Sequence, residues 1–429
     1  MDPGASARSC AALAPRGTSL GATQAQETAL ATASLSGPSR RNVQLDVLRG
    51  IAVLLVIGHH LRLPEPPGVM GLVSWGWFRI GWLGVDLFFV LSGFLIGGLL
   101  LDELERHGSL NVRRFLVRRE LKIYPPYFVF IIYLILMPTV KAAVRGDALV
   151  PIGESLRLYW PNLLFLQNYV GSNPAGPTWT LAVEEHFYVM LPLLLLFLAA
   201  TGRTRWLLFL ALGTAPLCLL LRCLSAAMKD PFATGMIATH LRLDALFLGV
   251  AIRAAAQYWP EHFSASRRWR WALFLVGIVL WIPNLFVEAH TALIRTVGLT
   301  ATYVGSGAFL LAAYHTHAAD FGRLMTRPVR RVASFAAWIG VYSYAIYLWH
   351  VSVIGISEGP RGVKLLALGG SWVGSTWFVL TLGICAACVL AGVVTSKLIE
   401  WPVLRFRDTF FPTRSRSLPA SLARPGAAS

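Results

Sequence analysis

The sequence predicts an all-α, polytopic membrane bundle of about ten transmembrane helices with both termini cytoplasmic. Three observations predict it. The 429 residues are 55% hydrophobic and only 14% charged, with a mean hydropathy of +0.59, more apolar surface than a soluble chain of this length can bury. Apolar runs of about 20 residues, long enough to cross a bilayer, recur along the chain. The Lys and Arg residues that give the net charge of +17 are concentrated in alternate loops. Such a charge can suggest nucleic acid. Here the basic residues sit in short loops and tails between apolar runs, where they read as topology signals facing anionic membrane lipid, and no nucleic-acid partner is expected.

Residues 1–40 are rich in Ala, Ser, Gly and Thr and lack an apolar core, which predicts a disordered cytoplasmic tail. No compact apolar stretch follows the early arginines, so no secretory signal is read there. Candidate spans follow at about 44–63, 80–101, 123–140, 179–199, 205–224, 236–256, 270–287, 292–313, 334–354 and 372–397. They make one membrane domain, 41–405, followed by a basic disordered cytoplasmic tail, 406–429. Residues 156–170 are apolar but short and interrupted by Pro161 and Asn162, which places them at the interface or in a re-entrant turn. Arg113, Arg114, Arg118, Arg119 and Lys122 crowd the second loop, and later even-numbered loops and both tails are also basic. The positive-inside rule then puts both ends of the chain in the cytoplasm of a cell bounded by this inner membrane. Cys385 and Cys388 form a C-x-x-C inside an Ala/Gly/Val-rich span, a pattern of close helix packing rather than a metal or redox site.

Polar residues inside such spans are costly and mark candidate sites. The first span, DVLRGIAVLLVIGHH, holds Arg49 and His60. Eleven residues apart, they share a helix face about 16 Å apart, and His59 points about 100° away from His60. Asp46 is spaced to pair with Arg49; the alternative is a snorkelling arginine and a rim histidine. Asp86 is the sole acid in the apolar part of the second span, open to roles as counter-ion for Arg49 or a histidine, or as a boundary residue. Its neighbours Ser92, Gly93, Gly97 and Gly98 suggest close packing. Arg118, Arg119 and Lys122 precede the third span, either as topology charge or as a cradle for phosphate oxygens. Glu184, Glu185 and His186 open the fourth span, with Tyr188 one turn on from Glu184. If that end lies outside, it is level with His60, and such groups can orient one another for proton transfer. His240 and Asp244 are four apart at the start of the sixth span and can pair, with Arg242 pointing elsewhere. His350 ends the ninth span among aromatics, and Glu400 closes the tenth. No zinc ligand set, nucleophile elbow, Walker loop or Rossmann fingerprint is present, so no metal and no permanently bound cofactor is expected.

Together these stretches resemble the acyltransferase-3 family of integral-membrane acyltransferases over about residues 41–405. The most specific mark is the arginine and histidine separated by ten residues in LDVLRGIAVLLVIGHH, here Arg49 and His60. GWLGVDLFFVLSGFLI is similar to the family's second-span motif, and HLRLDALFLG and YSYAIYLWH to its later spans. RRELKIYPPY resembles the basic loop in which an R-x-x-R is usual; Arg119 and Lys122 stand there, keeping the charge but replacing one bidentate fork. WTLAVEEHFY resembles the W-S-L-x-x-E stretch, with Thr180 for serine and Glu184 as the acid. Six such stretches in order are a specific signal.

The resemblance implies an O-acyltransferase that takes an acyl group, often acetyl, from acyl-CoA as donor substrate. The acceptor it implies is a hydroxyl of a carbohydrate, a surface glycan or a secreted glycosylated small molecule such as a macrolide. Larger relatives carry a fused hydrolase-like extracytoplasmic domain, for which the residues after the last span are too few. Arg118, Arg119 and Lys122 would hold the CoA phosphates, with the pantetheine arm beside Arg49. His60 would be the general base, since an imidazole with an unperturbed pKa of about 6.5 is neutral near pH 7. Glu184 or Glu185 would orient it or its substrate. Arg49 could stabilise the thioester oxygen, and a covalent acyl-histidine stays open. Asp86, His240, Arg242, Asp244 and His350 would support the substrate site. The rival class is a proton-coupled transporter of a small solute, built on the same intramembrane charges.

Overall fold

A computed structural model describes residues 42–170, 175–228, 236–316, 326–357 and 373–412. Among the described residues every regular element is helical and there is no strand. The helices are α1 (Val43–His60), α2 (Val69–Gly81), α3 (Leu83–His107), α4 (Val112–Arg145), α5 (Ile152–Leu163), α6 (Trp179–Ala200), α7 (Trp206–Ala227) and α8 (Leu243–Tyr258). There follow α9 (Pro260–Ala265), α10 (Arg270–Trp281), α11 (Pro283–Phe286), α12 (Leu299–Tyr314), α13 (Arg327–Val341), α14 (Ser343–Ser357), α15 (Val373–Thr395) and α16 (Trp401–Phe410). Lipid offers backbone groups no partner, so a chain with these apolar runs closes its hydrogen bonds within helices.

Each of the ten expected spans meets a helix. Among the described residues eight stretches are long and apolar enough to cross a membrane, and α13 with α14, bent by 81°, makes a ninth if that pair is one span. The sixth expected span is shorter than the sequence suggests. A 3-10 turn at Thr239–Leu241 takes up its start, and α8 is only 16 residues long. Four of the described helices were not foreseen as such, the short α9 and α16 among them. The loop after α1 folds into α2, and the stretch expected at an interface becomes α5, with Pro161 inside its last turn. Helix α16 runs past residue 405, where the sequence sets the edge of the membrane domain, to Phe410. Residues 1–40, and the C-terminal tail from 413 on, lie outside the described residues.

Small residues set the tightest crossings. A Cβ on Gly93 of α3 would fall on the Leu246 carbonyl of α8, and one on Gly249 would fall on the Val90 carbonyl. The two backbones therefore touch, as at membrane crossings built on small residues. Gly50 of α1 and Gly340 of α13 meet the Ala336 and Asp46 carbonyls in the same way. Cys388 is buried in α15 with its thiol 3.8 Å from the His350 carbonyl.

Two buried ion pairs join the central helices. Arg242 reaches Asp86 of α3 at 3.0 Å, and Arg222 of α7 reaches Asp244 of α8 at 2.7 Å; all four side chains are at most 3% exposed. Both pairs correct the sequence reading. Asp86 is the counter-ion of Arg242 rather than of Arg49 or a histidine, and Arg242 points into the bundle. Asp244 pairs with Arg222 rather than with His240. The spacing argument assumed one continuous helix, but His240 lies in the 3-10 turn before α8 begins. His240 instead stacks on Tyr169, whose hydroxyl is 3.0 Å from its Nδ1.

Candidate active site

Helices α1, α3, α4, α6 and α14 enclose a cleft of about 870 Å³, part of it open to the outside. Arg49 enters it from α1, Arg119 and Lys122 from α4, and Glu184 and Tyr188 from α6. The local reasons are helical. Arg119 and Lys122 are three apart, and Glu184 and Tyr188 four apart, so each pair shares a face. Pro125 and Pro126 remove the amides that would close on the carbonyls of Leu121 and Lys122. The hydroxyl of Tyr344, on α14, donates to the neighbouring Ile123 carbonyl at 2.7 Å and braces that turn.

Three cations thus line one cleft, and none has an ion-pair partner among the described residues. Arg119 lies over the rings of Phe115 and Tyr188, at 5.9 and 5.8 Å. Glu184 is the acid in the cleft, and both its oxygens are occupied. Ser92 Oγ donates to one at 2.7 Å and Tyr188 Oη to the other at 2.7 Å. Ser92, expected to be a packing residue, is therefore a carboxylate partner. The positive groups are left over, and the cleft is suited to an anion.

Arg118 is not part of this group. It binds Asp408 of α16 at 3.1 Å and also donates to the Phe411 carbonyl, and Asp408 is shared with Arg407 at 2.9 Å. Arg118 is 100° round the helix from Arg119 and so faces the C-terminal helix. Glu185 also turns away from the cleft: Tyr124 Oη approaches it at 3.4 Å, and its other oxygen is buried without a partner. Glu184 shares its cleft with Arg49, so neither carboxylate is found beside His60.

His60 sits at the other end of α1, where its partner is His350. The two rings are 4.8 Å apart, nearly perpendicular, with His350 Nε2 3.3 Å from His60 Nδ1. The surrounding carbonyls fix the tautomers. His350 Nδ1 lies 2.5 Å from the Tyr347 carbonyl and His60 Nδ1 lies 2.9 Å from the Val56 carbonyl. A carbonyl only accepts, so both Nδ1 atoms carry hydrogen in the neutral rings. His350 Nε2 is then an acceptor facing His60, and His60 Nε2 is left as a bare lone pair. His59 turns away, as its spacing predicts, and stacks on Phe78.

Tyr347 links the two regions. Its side chain lines the cleft beside Arg49, its hydroxyl donates to the Pro177 carbonyl at 3.0 Å and accepts from Thr180 at 2.9 Å, and its own carbonyl holds His350. The sequence reading left Tyr347 among the aromatics before His350 without singling it out. Its position three residues before His350, on the helix face they share, was the signal available.

A family model described as an acyltransferase domain matches residues 42–397, most of the chain. The chain belongs to this acyltransferase-3 family. It carries this domain as a multi-pass helical membrane bundle. Among similar proteins is the peptidoglycan O-acetyltransferase OatA of Listeria monocytogenes, 28% identical over 334 residues that make up 74% of this chain and 50% of that one. YrhL of Bacillus subtilis, named as a candidate peptidoglycan O-acetyltransferase, is 29% identical over 84% of this chain and 54% of its own length. A Staphylococcus aureus protein named as a candidate O-acetyltransferase is 27% identical over 72% of this chain and 50% of its own. The chain spans about half the length of these curated relatives. No solved structure matches it.

Proposed function

We propose that this acyltransferase moves an acetyl group from acetyl-CoA, held at the Val43 end of α1, to a hydroxyl of a cell-wall glycan at the His60 end. The observation that carries the donor half is the cleft with three cations that have no ion-pair partner among the described residues. A phosphate-bearing donor would supply the missing charge, with Arg119 and Arg49 each offering a bidentate fork and Lys122 a compact positive partner. The relatives' names point to peptidoglycan as the acceptor, and a muramyl or glucosaminyl hydroxyl is the group we assign.

His60 is the base in this reading. Its Nε2 lone pair, left bare by the His350 relay, takes the proton of the acceptor hydroxyl as the oxygen attacks the thioester carbon. The carbon–sulfur bond breaks, the new ester forms, and the proton is returned to the leaving thiolate. Arg49 and His60 lie about 16 Å apart along one helix, so they do not serve the same reacting carbon. Arg49 therefore belongs to the donor's phosphate end, and the pantetheine arm spans the distance past Tyr347 toward His60. With the basic loops inside, the Arg49 end faces the cytoplasm of a bacterial inner membrane and the His60 end faces the wall.

The test is acetyl transfer by purified protein from isotopically labelled acetyl-CoA to soluble muropeptides. Alkali-labile label on the sugar is expected. Hydrolysis of acetyl-CoA with no labelled sugar, under conditions where an acetylated relative is active, would refute the acceptor half. Uptake of a solute with no covalent product would favour a transporter.

A further inference from the structure

We propose that Ser343, with the first turn of α14, binds a phosphate of the donor inside the cationic cleft. The chain turns by 81° between α13 and α14, at Tyr342. That bend makes Ser343 the first residue of a fresh, 15-residue helix in the middle of the bundle. The ladder of α14 opens with the Ile346 amide on the Tyr342 carbonyl at 3.0 Å. The amides ahead of it have no carbonyl inside their own helix, and such N-termini carry partial positive charge. Broken membrane helices direct these ends at anionic substrate groups.

The independent observation is the Ser343 side chain. The residue is 1% exposed, its Oγ has no hydrogen-bond partner among the described residues, and it lines the same cleft as Arg49, Arg119 and Lys122. A buried hydroxyl without a partner costs stability, so it calls for a ligand acceptor. Its surroundings name the class. Three cations and a helix N-terminus favour an anion with several acceptor oxygens, and a hydroxyl donor completes a phosphate cradle. Tyr344, the next residue, is tied to Ile123 and holds the start of α14 against the part of α4 that carries Lys122, which lines the same cleft.

This rests on the reading of the cleft as the donor site. The experiment compares Ser343→Ala and Lys122→Met with wild type in CoA binding, in steady-state kinetics with acetyl-CoA and with acetyl-pantetheine, which lacks every phosphate, and in thermal unfolding. Ser343→Ala is expected to weaken CoA binding and raise KM for acetyl-CoA about tenfold, the effect of one hydrogen bond to a charged group. It should leave kcat and the KM for acetyl-pantetheine unchanged. Its melting temperature should be equal or higher, because the variant loses only an unpartnered polar atom. A serine with a structural role would melt lower on the same change. Loss of kcat on both donors would overturn the proposal by placing Ser343 at the thioester. Unchanged CoA binding in Ser343→Ala, alongside weaker binding in Lys122→Met, would overturn it and leave the donor site standing. Unchanged binding in both would overturn the donor site itself.

Discussion

Replacing Asp86 by Asn tests whether the central helices depend on their buried charges. The carboxylate is about 1% exposed and Arg242 about 3%, and the guanidinium is sandwiched 5.6 Å from the Phe89 and Trp179 ring centres. Asn keeps the shape and removes the charge, so Arg242 is left buried without a counter-ion. Breaking one partner of such a pair costs about 3–5 kcal/mol. That is a large part of a typical folding free energy of about 5–15 kcal/mol. The molecule supplies its own controls. Asp102, which pairs with Arg253, is 34% exposed, and Asp408, which pairs with Arg118, is 52% exposed. Water screens those pairs, and their Asn variants should lose about 1 kcal/mol or less. Removing both partners as Asp86→Leu with Arg242→Met should recover most of the loss, since no unpaired charge remains. The assay is reversible unfolding of the detergent-solubilised protein in increasing SDS. Equal losses for Asp86→Asn and Asp102→Asn, or no recovery in the double variant, would refute the reasoning.

Other outcomes follow from the site. His60→Ala should lower acetyl transfer by about 10²- to 10⁴-fold while its unfolding curve stays near wild type, measured by label incorporation beside SDS titration. His350→Ala removes one of the two acceptors, the other being the Val56 carbonyl, that face the His60 Nδ1 hydrogen and orient the ring, and should lower kcat roughly tenfold or more, whereas His350→Gln, which keeps an acceptor oxygen, should retain more of it; equal loss in both would leave the histidine relay without support. Lys122→Met should raise KM for acetyl-CoA more than it lowers kcat, read from initial rates at varied donor. Gly93→Val should fail to assemble or unfold early, because its side chain would displace the α8 backbone, and a normal melting curve would contradict the close crossing.

Much of this was legible in the sequence because the bilayer narrows the choice. Apolar length located the helices, the helical period joined Glu184 to Tyr188, and the resemblance to the family's basic loop joined Arg119 to Lys122. The period also separated His59 from His60. The sequence pattern did not reveal contacts between helices far apart in the chain. Asp86 meets Arg242 across 156 positions, and His60 meets His350 across 290. Spacing rules act within one helix, which is also why the His240–Asp244 pairing failed once a 3-10 turn interrupted it. Glu184 was drawn toward His60 by an assumption of shared depth, and its actual neighbours, Ser92 and Tyr188, show that it belongs to the cleft with Arg49. Arg118 was grouped with its sequence neighbours, yet one step round the helix was enough to hand it to Asp408.

The central claim is that donor and acceptor act from opposite ends of α1. The measurement that tests it most directly uses sealed proteoliposomes with muropeptide acceptor trapped inside and labelled acetyl-CoA added only outside. The account predicts acetylated muropeptide inside, from the molecules whose Arg49 end faces out, and none with His60→Ala. Product formed only when donor and acceptor share one compartment would contradict it.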